Sequence, residues 1–253
     1  LSEEDASESE GGAYLSEEHI LLPIANMANI EKLLEFSIFI KDKKSANPVS
    51  VLSVVSNNEE AESNILKARK KLEDFVKQAT ASETETSVIA TIDHNIASGM
   101  ANVIILGWPR RSGIIEKLLG EKLEIILDNI DKTDFICHFG KPLLAHKRII
   151  AAVPPLSEHE NGFPLWVSKM AGLAQELSIP MLFYCNKSTE EAIRKKMKKQ
   201  KSNSSATSKS FDDWQDFLVL ARDVKRDDLL VLVSARKGSA AFMNLLENLP
   251  SKM

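Results

Sequence analysis

The chain has 253 residues, 43% of them hydrophobic and 27% charged, which fits one large water-soluble domain or two of ordinary size. Only ten glycines and nine prolines are present, so collagen-like and low-complexity classes are excluded, and no apolar run reaches the ~20 residues needed to cross a bilayer. The net charge of −4 is uneven: residues 1–18 carry seven acids and no Lys or Arg, while the rest holds 29 acids against 32 bases, too balanced for a strong nucleic-acid footprint.

The opening LSEEDASESEGGAY lacks the basic region and apolar core of a signal peptide and is expected to be a solvated tail or linker. Beyond it, short β-rich runs alternate with helical periods. HILLPIA (His19–Ala25) reads as a strand and Ile30–Lys41 as a helix, followed by a strand over Val49–Val55. Glu59–Ala79 reads as a long helix with Ile65, Leu66, Leu72, Phe75 and Val76 on its apolar face. Strands are expected at Ser87–Ile92, Asn102–Leu106 and Asp134–Phe139, with a helix over Gly113–Asn129. Between Ile92 and Val103 the sequence DHNIASGMAN is short for a crossover.

The second half repeats this order. KRIIAAVP (Lys147–Pro154) answers HILLPIAN, then come a helix over Phe163–Leu177, a strand over Pro180–Cys185 and a basic helix over Thr189–Lys201. The polar SNSSATSKS reads as a connection into a helix over Asp212–Val224, and Leu229–Val233 reads as a strand. The best internal match sets VIILGWPRRSG (Val103–Gly113) against LLVLVSARKGS (Leu229–Ser239), aligning Arg110 and Arg111 with Arg236 and Lys237. A period of about 120 residues suits tandem α/β domains rather than a solenoid. Apolar strands separated by helices predict parallel sheets with both faces covered, so the fold class is α/β, with a boundary near Lys141–His146.

The segment GWPRRSGIIEKLLGEK (Gly107–Lys122) carries the chemistry. A glycine closing a buried strand lets the chain turn and exposes backbone N–H groups, which at a helix start attract phosphate. This segment resembles the universal stress protein domain, whose nucleotide-binding members carry G-x2-G-x9-G-[ST] after the fourth strand. Gly107 and Gly120 match the first and last glycines, and RSGIIEKLLGEK, including Arg111 and Gly113, follows the family's usual run. Arg110 stands in place of the second glycine, where its side chain obstructs backbone approach although its guanidinium can pair with phosphate. Glu121 stands in place of the Ser/Thr and sets like charge against phosphate; Asn26 replaces an Asp that the family places against the base. In the second repeat Val233 takes the first-glycine position, so that half reads as degenerate.

HILLPIAN, GWPRRSG and FDDW…DDLLVLVSARKGS, over nearly all of Glu18–Met253, also resemble the cytoplasmic tail of bacterial cation:proton antiporters. That resemblance implies a membrane transporter domain in the same polypeptide, at the cytoplasmic face of the inner membrane. Residues 1–18 would then be an acidic linker, 19–142 a first universal-stress-like domain and 143–253 a second, degenerate one. It implies regulation through a homodimer or a small nucleotide ligand such as ATP or AMP, and no catalysis.

Other features read more plainly. RKKMKKQK (Arg194–Lys201) fits anionic lipid heads or, more commonly, a solvated helix end; without interleaved aromatics it does not suit nucleic acid. His19, His94, His138, His146 and His159 show no zinc spacing, and no metal is expected. Asp93 and His94 follow a strand at the edge where α/β ligands bind. Cys137 and Cys185, far apart and outside any CxxC, fit a reducing compartment. Trp166 and Trp214 fall in helical periods as core or interface anchors, and no GxGxxG, GK[ST] or GxSxG motif points to an enzyme. Besides the antiporter tail, two readings stay open: a free-standing cytosolic stress protein that binds ATP or AMP, and a scaffold without ligand.

Overall fold

The structure, a computed structural model, describes residues 17–24, 30–55, 57–79, 86–92, 101–107, 133–212 and 217–243. Five strands form the first sheet: β1 (Ile20–Pro23), β2 (Val49–Val54), β3 (Thr86–Thr91), β4 (Val103–Gly107) and β5 (Thr133–Cys137). Their order is β3-β2-β1-β4-β5 and every pairing is parallel. The second sheet holds β6 (Arg148–Ala152), β7 (Met181–Cys185), β8 (Ala206–Ser210) and β9 (Asp228–Leu232), ordered β8-β7-β6-β9 and again parallel. The helices are α1 (Ile30–Ile40), α2 (Ala61–Ala79), α3 (Phe163–Leu177), α4 (Lys187–Lys199) and α5 (Phe217–Asp223). The α/β expectation holds, with two sheets wound in the same sense.

Burial follows the strands' alternation. One face of the first sheet (Ile20, Leu22, Val49, Val51, Val103, Ile105) and one of the second (Ile149, Ala151, Val153, Met181, Phe183, Cys185) belong to a single apolar cluster with α1, α2, α3 and α4. The helical faces of the two sheets therefore share one core, and α1 packs on α3 at its centre. Trp166 lies in this cluster, edge-on to Phe163 with centroids 5.5 Å apart. The second sheet's other face packs Ile150, Ala152, Leu182 and Tyr184 against Leu220 of α5.

Register refines the internal repeat. Val103 lies beside Ile20, and Leu229 beside Ile149. Matching β4 to β9 as above therefore sets Ile20 against Ile149, one residue off the phrase-by-phrase match of HILLPIAN to KRIIAAVP. The faces agree with the shifted match, because a one-residue slip would exchange core and outer sides.

Two sequence expectations change. SNSSATSKS is not simply a connection, since Ala206–Ser210 forms β8, hydrogen-bonded in register from Met181↔Ala206 to Cys185↔Ser210. An edge strand tolerates small polar residues because only one of its sides pairs. On α2, Leu66 is exposed rather than core-facing, whereas Leu72 and Val76 are buried; Leu66 lies one helical step of 100° beyond Ile65, off the stripe.

The two halves are joined by charge as well as by apolar contact. Lys169, on the apolar stripe of α3, is buried, ion-paired to Glu18, and donates to the Ile40 carbonyl at 2.7 Å. Glu18, which composition groups with the solvated acidic start, is itself buried and accepts from the Asp42 N–H at 2.8 Å. A second bridge joins Arg236, after β9, to Asp134 of β5 at 2.9 Å. The other carboxylate oxygen of Asp134 is buried and has no hydrogen-bond partner among the described residues. Burial pushes Asp134 up from 3.8 to about 6, against the opposing pull of Arg236.

Two measurements follow from these contacts. Lys169→Ala takes the buried cation away from the buried Glu18 carboxylate and is expected to cost about 3–5 kcal/mol in urea unfolding, with Lys169→Met costing less because its stem keeps the packing. For Asp134, the folded chain keeps a proton that the unfolded chain releases between about pH 4 and 6, so this group weakens the fold as pH rises through that window. Relative to the native chain, Asp134→Asn should gain stability as pH is raised from about 4 to 7, by at most about 3 kcal/mol. Urea unfolding across that range measures the difference; one independent of pH would contradict the raised value.

Candidate functional site

In an open parallel sheet, ligands bind beyond the carboxyl ends of the strands, where the chain's winding reverses. In the first sheet that point lies between β1 and β4, which are neighbours although β2 and β3 intervene in sequence. β1 leads there through Ile24, whose N–H donates to Leu52 O at 2.8 Å, and β4 ends there at Gly107, in register with Cys137 of β5. Gly107 is thus the last residue of β4, at the switch point of the sheet.

The reason for glycine differs from a tight turn. Gly107 is not in the left-handed region; the only described glycine there is Gly238, at φ 93°. A Cβ on Gly107 would instead sit 3.2 Å from Leu33 Cδ1 of α1. A side chain here would be tight against α1 and would need Leu33 to shift by a few tenths of an ångström. Asn26, Arg110, Arg111, Gly113, Gly120 and Glu121 lie outside the described residues, as do Asp93, His94 and Trp214.

The matching edge of the second sheet is built differently. Val233 takes the place of Gly107, its N–H donating to Ala152 O at 3.0 Å, and its side chain packs on the shared core. Arg236, the counterpart of Arg110, is engaged with Asp134. Gly238 makes the left-handed turn that follows, and Ser239 N–H closes on Arg236 O at 2.9 Å.

Two acids from the segment after β6 then occupy donors at this edge. Glu160 accepts from the Ala241 N–H at 3.0 Å, and Ala241 is buried. Glu158 accepts from the Ser188 and Thr189 hydroxyls, each at 2.7 Å, in the first turn of α4. Burial pushes Glu158 up, but those hydrogen bonds outweigh it and hold its carboxyl below the usual value. Asn186 caps the same helix by accepting from Thr189 N–H at 2.9 Å. Backbone and hydroxyl donors that could meet an anionic ligand are here satisfied by the chain's own carboxylates. Sequence reading singled out neither these acids nor Asp134, although Asp134 was visible as the one charge within the apolar run DFIC.

Two of the histidines have structural partners. The His19 ring nitrogen Nε2 hydrogen-bonds the Ser50 hydroxyl at 2.7 Å, and buried His146 uses Nδ1 on the Leu143 carbonyl at 3.0 Å. Cys137 and Cys185 are free thiols on different sheets; burial pushes each up to about 12, far from a reactive thiolate. Among the described residues no group of three or more His, Cys, Asp or Glu side chains is placed to hold a metal ion, and no helix is long and apolar enough to cross a membrane.

No protein-family model matches the chain, and no curated protein matches it. Solved structures do. A universal stress protein from Archaeoglobus fulgidus DSM 4304 superposes with a TM-score of 0.62 at 14% identity, covering 95% of this chain and 93% of that one. The cytoplasmic domain of a prokaryotic cation chloride cotransporter aligns at 12% identity with a TM-score of 0.47, over 87% of this chain and 79% of its own. A universal stress protein in complex with cAMP aligns at 13% identity with a TM-score of 0.30, over 48% of this chain and 96% of its own. The first superposition runs through both sheets, and with the strand orders above it fixes the architecture: the chain has the universal stress protein fold.

Proposed function

We propose that this chain is a ligand-sensing regulatory unit, the cytoplasmic part of a monovalent cation:proton antiporter, with an adenine-nucleotide site at the carboxyl edge of the first sheet. In this reading residues 19–142 and 143–253 are tandem repeats behind an acidic linker, 1–18. The observation that carries the ligand site is Gly107, without a side chain at the switch point between β1 and β4, set against Val233 at the matching place in the second half. The Gly107-to-Gly120 spacing supports phosphate as the recognised group, with the Arg110 guanidinium as a clamp in place of the usual glycine. Support for the antiporter comes from the phrases HILLPIAN, GWPRRSG and DDLLVLVSARKGS.

The role assigned is binding, not catalysis. A tail can bias a transporter only by binding differently to its two states, so an occupied first-sheet edge must favour one of them. The satisfied donors of the second half leave that half as the structural partner of the first. A homodimer would add the contact through which two transporter copies are coupled.

Calorimetric titration with ATP tests the site. The native chain should bind, and Gly107→Val, which places at this edge the side chain that the second half carries, should lose at least about tenfold in affinity, or about 1.4 kcal/mol, with an unchanged circular dichroism spectrum. Equal binding by both would move the ligand elsewhere, and no binding by either would favour the ligand-free scaffold. An immunoblot of fractionated source cells tests the attachment: a membrane band far above 28.1 kDa is expected, whereas a free band near 28.1 kDa would favour the stand-alone stress protein.

A further inference from the structure

The basic helix α4 is the most highly charged element of the chain. Lys195, Lys198 and Lys199, with Lys201 just beyond its end, are exposed, and none forms an ion pair among the described residues. Arg194 differs, since it is engaged by Glu190 one turn earlier and reaches the Ser208 hydroxyl at 3.3 Å. The other charges facing this helix are the acids Glu190 and Glu191 on its own surface and Glu158 at its start. Its carboxyl end thus gathers uncompensated positive charge.

The position of that end matters. Gln200, which closes α4, donates from Nε2 to the Ser168 hydroxyl of α3. The next residue, Lys169, holds Glu18. The path from the basic end of α4 to the first described residues is therefore two side-chain contacts joined by one peptide. The chain leads into Glu17 and Glu18 at this place, and the sixteen residues before Glu17 carry Glu3, Glu4, Asp5, Glu8 and Glu10 and no base. Extended, sixteen residues reach up to about 55 Å, and a helix of thirteen residues is only about 20 Å long, so every base on α4 is within range.

We propose that the acidic segment 1–16 docks on the basic face of α4, with Glu18–Lys169 as the fixed anchor from which it starts. The occupant is a segment of this same chain, chosen by charge complementarity and by where it begins. Tethering makes the contact intramolecular, so weak individual pairs add up without a concentration penalty. Nearby bases offer less: Lys43 is held by Glu176, Lys41 donates to the Ser45 carbonyl at 2.7 Å, Lys169 is already paired, and Lys44 is a single exposed base against the group on α4. The dock is exposed to solvent and is expected to weaken with salt.

Carbodiimide coupling of the whole chain at low salt tests this. Mass spectrometry should find bonds from Glu3, Glu4, Asp5, Glu8 or Glu10 to Lys195, Lys198, Lys199 or Lys201, and these should fade near 1 M salt. Mixing light and heavy isotope chains separates bonds within a chain from bonds between chains. In a second measurement, a variant with Glu3→Gln, Glu4→Gln, Asp5→Asn, Glu8→Gln and Glu10→Gln should show severalfold faster acetylation of the four α4 lysines, while Lys67, Lys70 and Lys71 of α2 react as before. Bonds spread evenly over α2 lysines, bonds confined to Lys44, or equal acetylation in both chains would overturn the proposal. So would equal binding of both chains to phosphatidylserine vesicles through α4, which would assign the helix to a lipid surface.

Discussion

A lysine inside an apolar cluster sets the frame for the rest of this molecule. Lys169 falls on the stripe of α3 that also carries Trp166, Met170 and Leu173, and α3 packs on α1. Its ammonium is tolerable there only because a carboxylate and a carbonyl meet it, one from the chain entering β1 and one from the last residue of α1. The same carboxylate is fixed by the Asp42 N–H, and the Glu18 carbonyl accepts from Ser45 Oγ at 2.5 Å. Apolar packing alone would let α1 and α3 slide against each other; a buried charge with defined partners fixes one alignment. Both sheets hang from these two helices, so the relation between the halves depends on this contact.

Much of the fold was legible because its strands are apolar runs and its helices keep period. The α3 expectation matches its observed ends at Phe163 and Leu177, where Pro164 opens the helix and Ser178, left-handed at φ 54°, closes it. What escaped the sequence shares one cause: the residues concerned take their role from partners distant in the chain. β8 is polar and becomes a strand only because β7 offers it a ladder. Lys169 and Glu18 look like surface charges until the 150 positions between them are folded away. Gly107 closes β4, as the apolar run before it suggests, but the nearness of Leu33 is a contact between separate elements that the sequence does not show.

Two sheets with one winding differ at the same edge. In the first, a bare backbone at Gly107 stands at the switch point. In the second, Val233 fills the counterpart, Arg236 is drawn across to Asp134, Glu158 holds the Ser188 and Thr189 hydroxyls, and Glu160 holds the Ala241 amide. Arg236 thus ties the second half's edge to the amino end of β5, where Asp134 is level with Ile104 of β4 rather than with Gly107.

The composition of β8 has a consequence for how many copies of this chain can share a small volume. A parallel sheet ends in a row of unpaired amides and carbonyls, and such a row recruits strands from any neighbour. Here the outermost strand is ATSKS, with no large apolar side chain to reward an incoming strand. Lys209 stands on it, its ammonium held by Asp223 and lying 5.6 Å from the centre of the Tyr184 ring. A strand added from another copy would have to displace that charge into a dry seam. Its small, polar and charged side chains therefore offer an incoming strand little apolar area to bury.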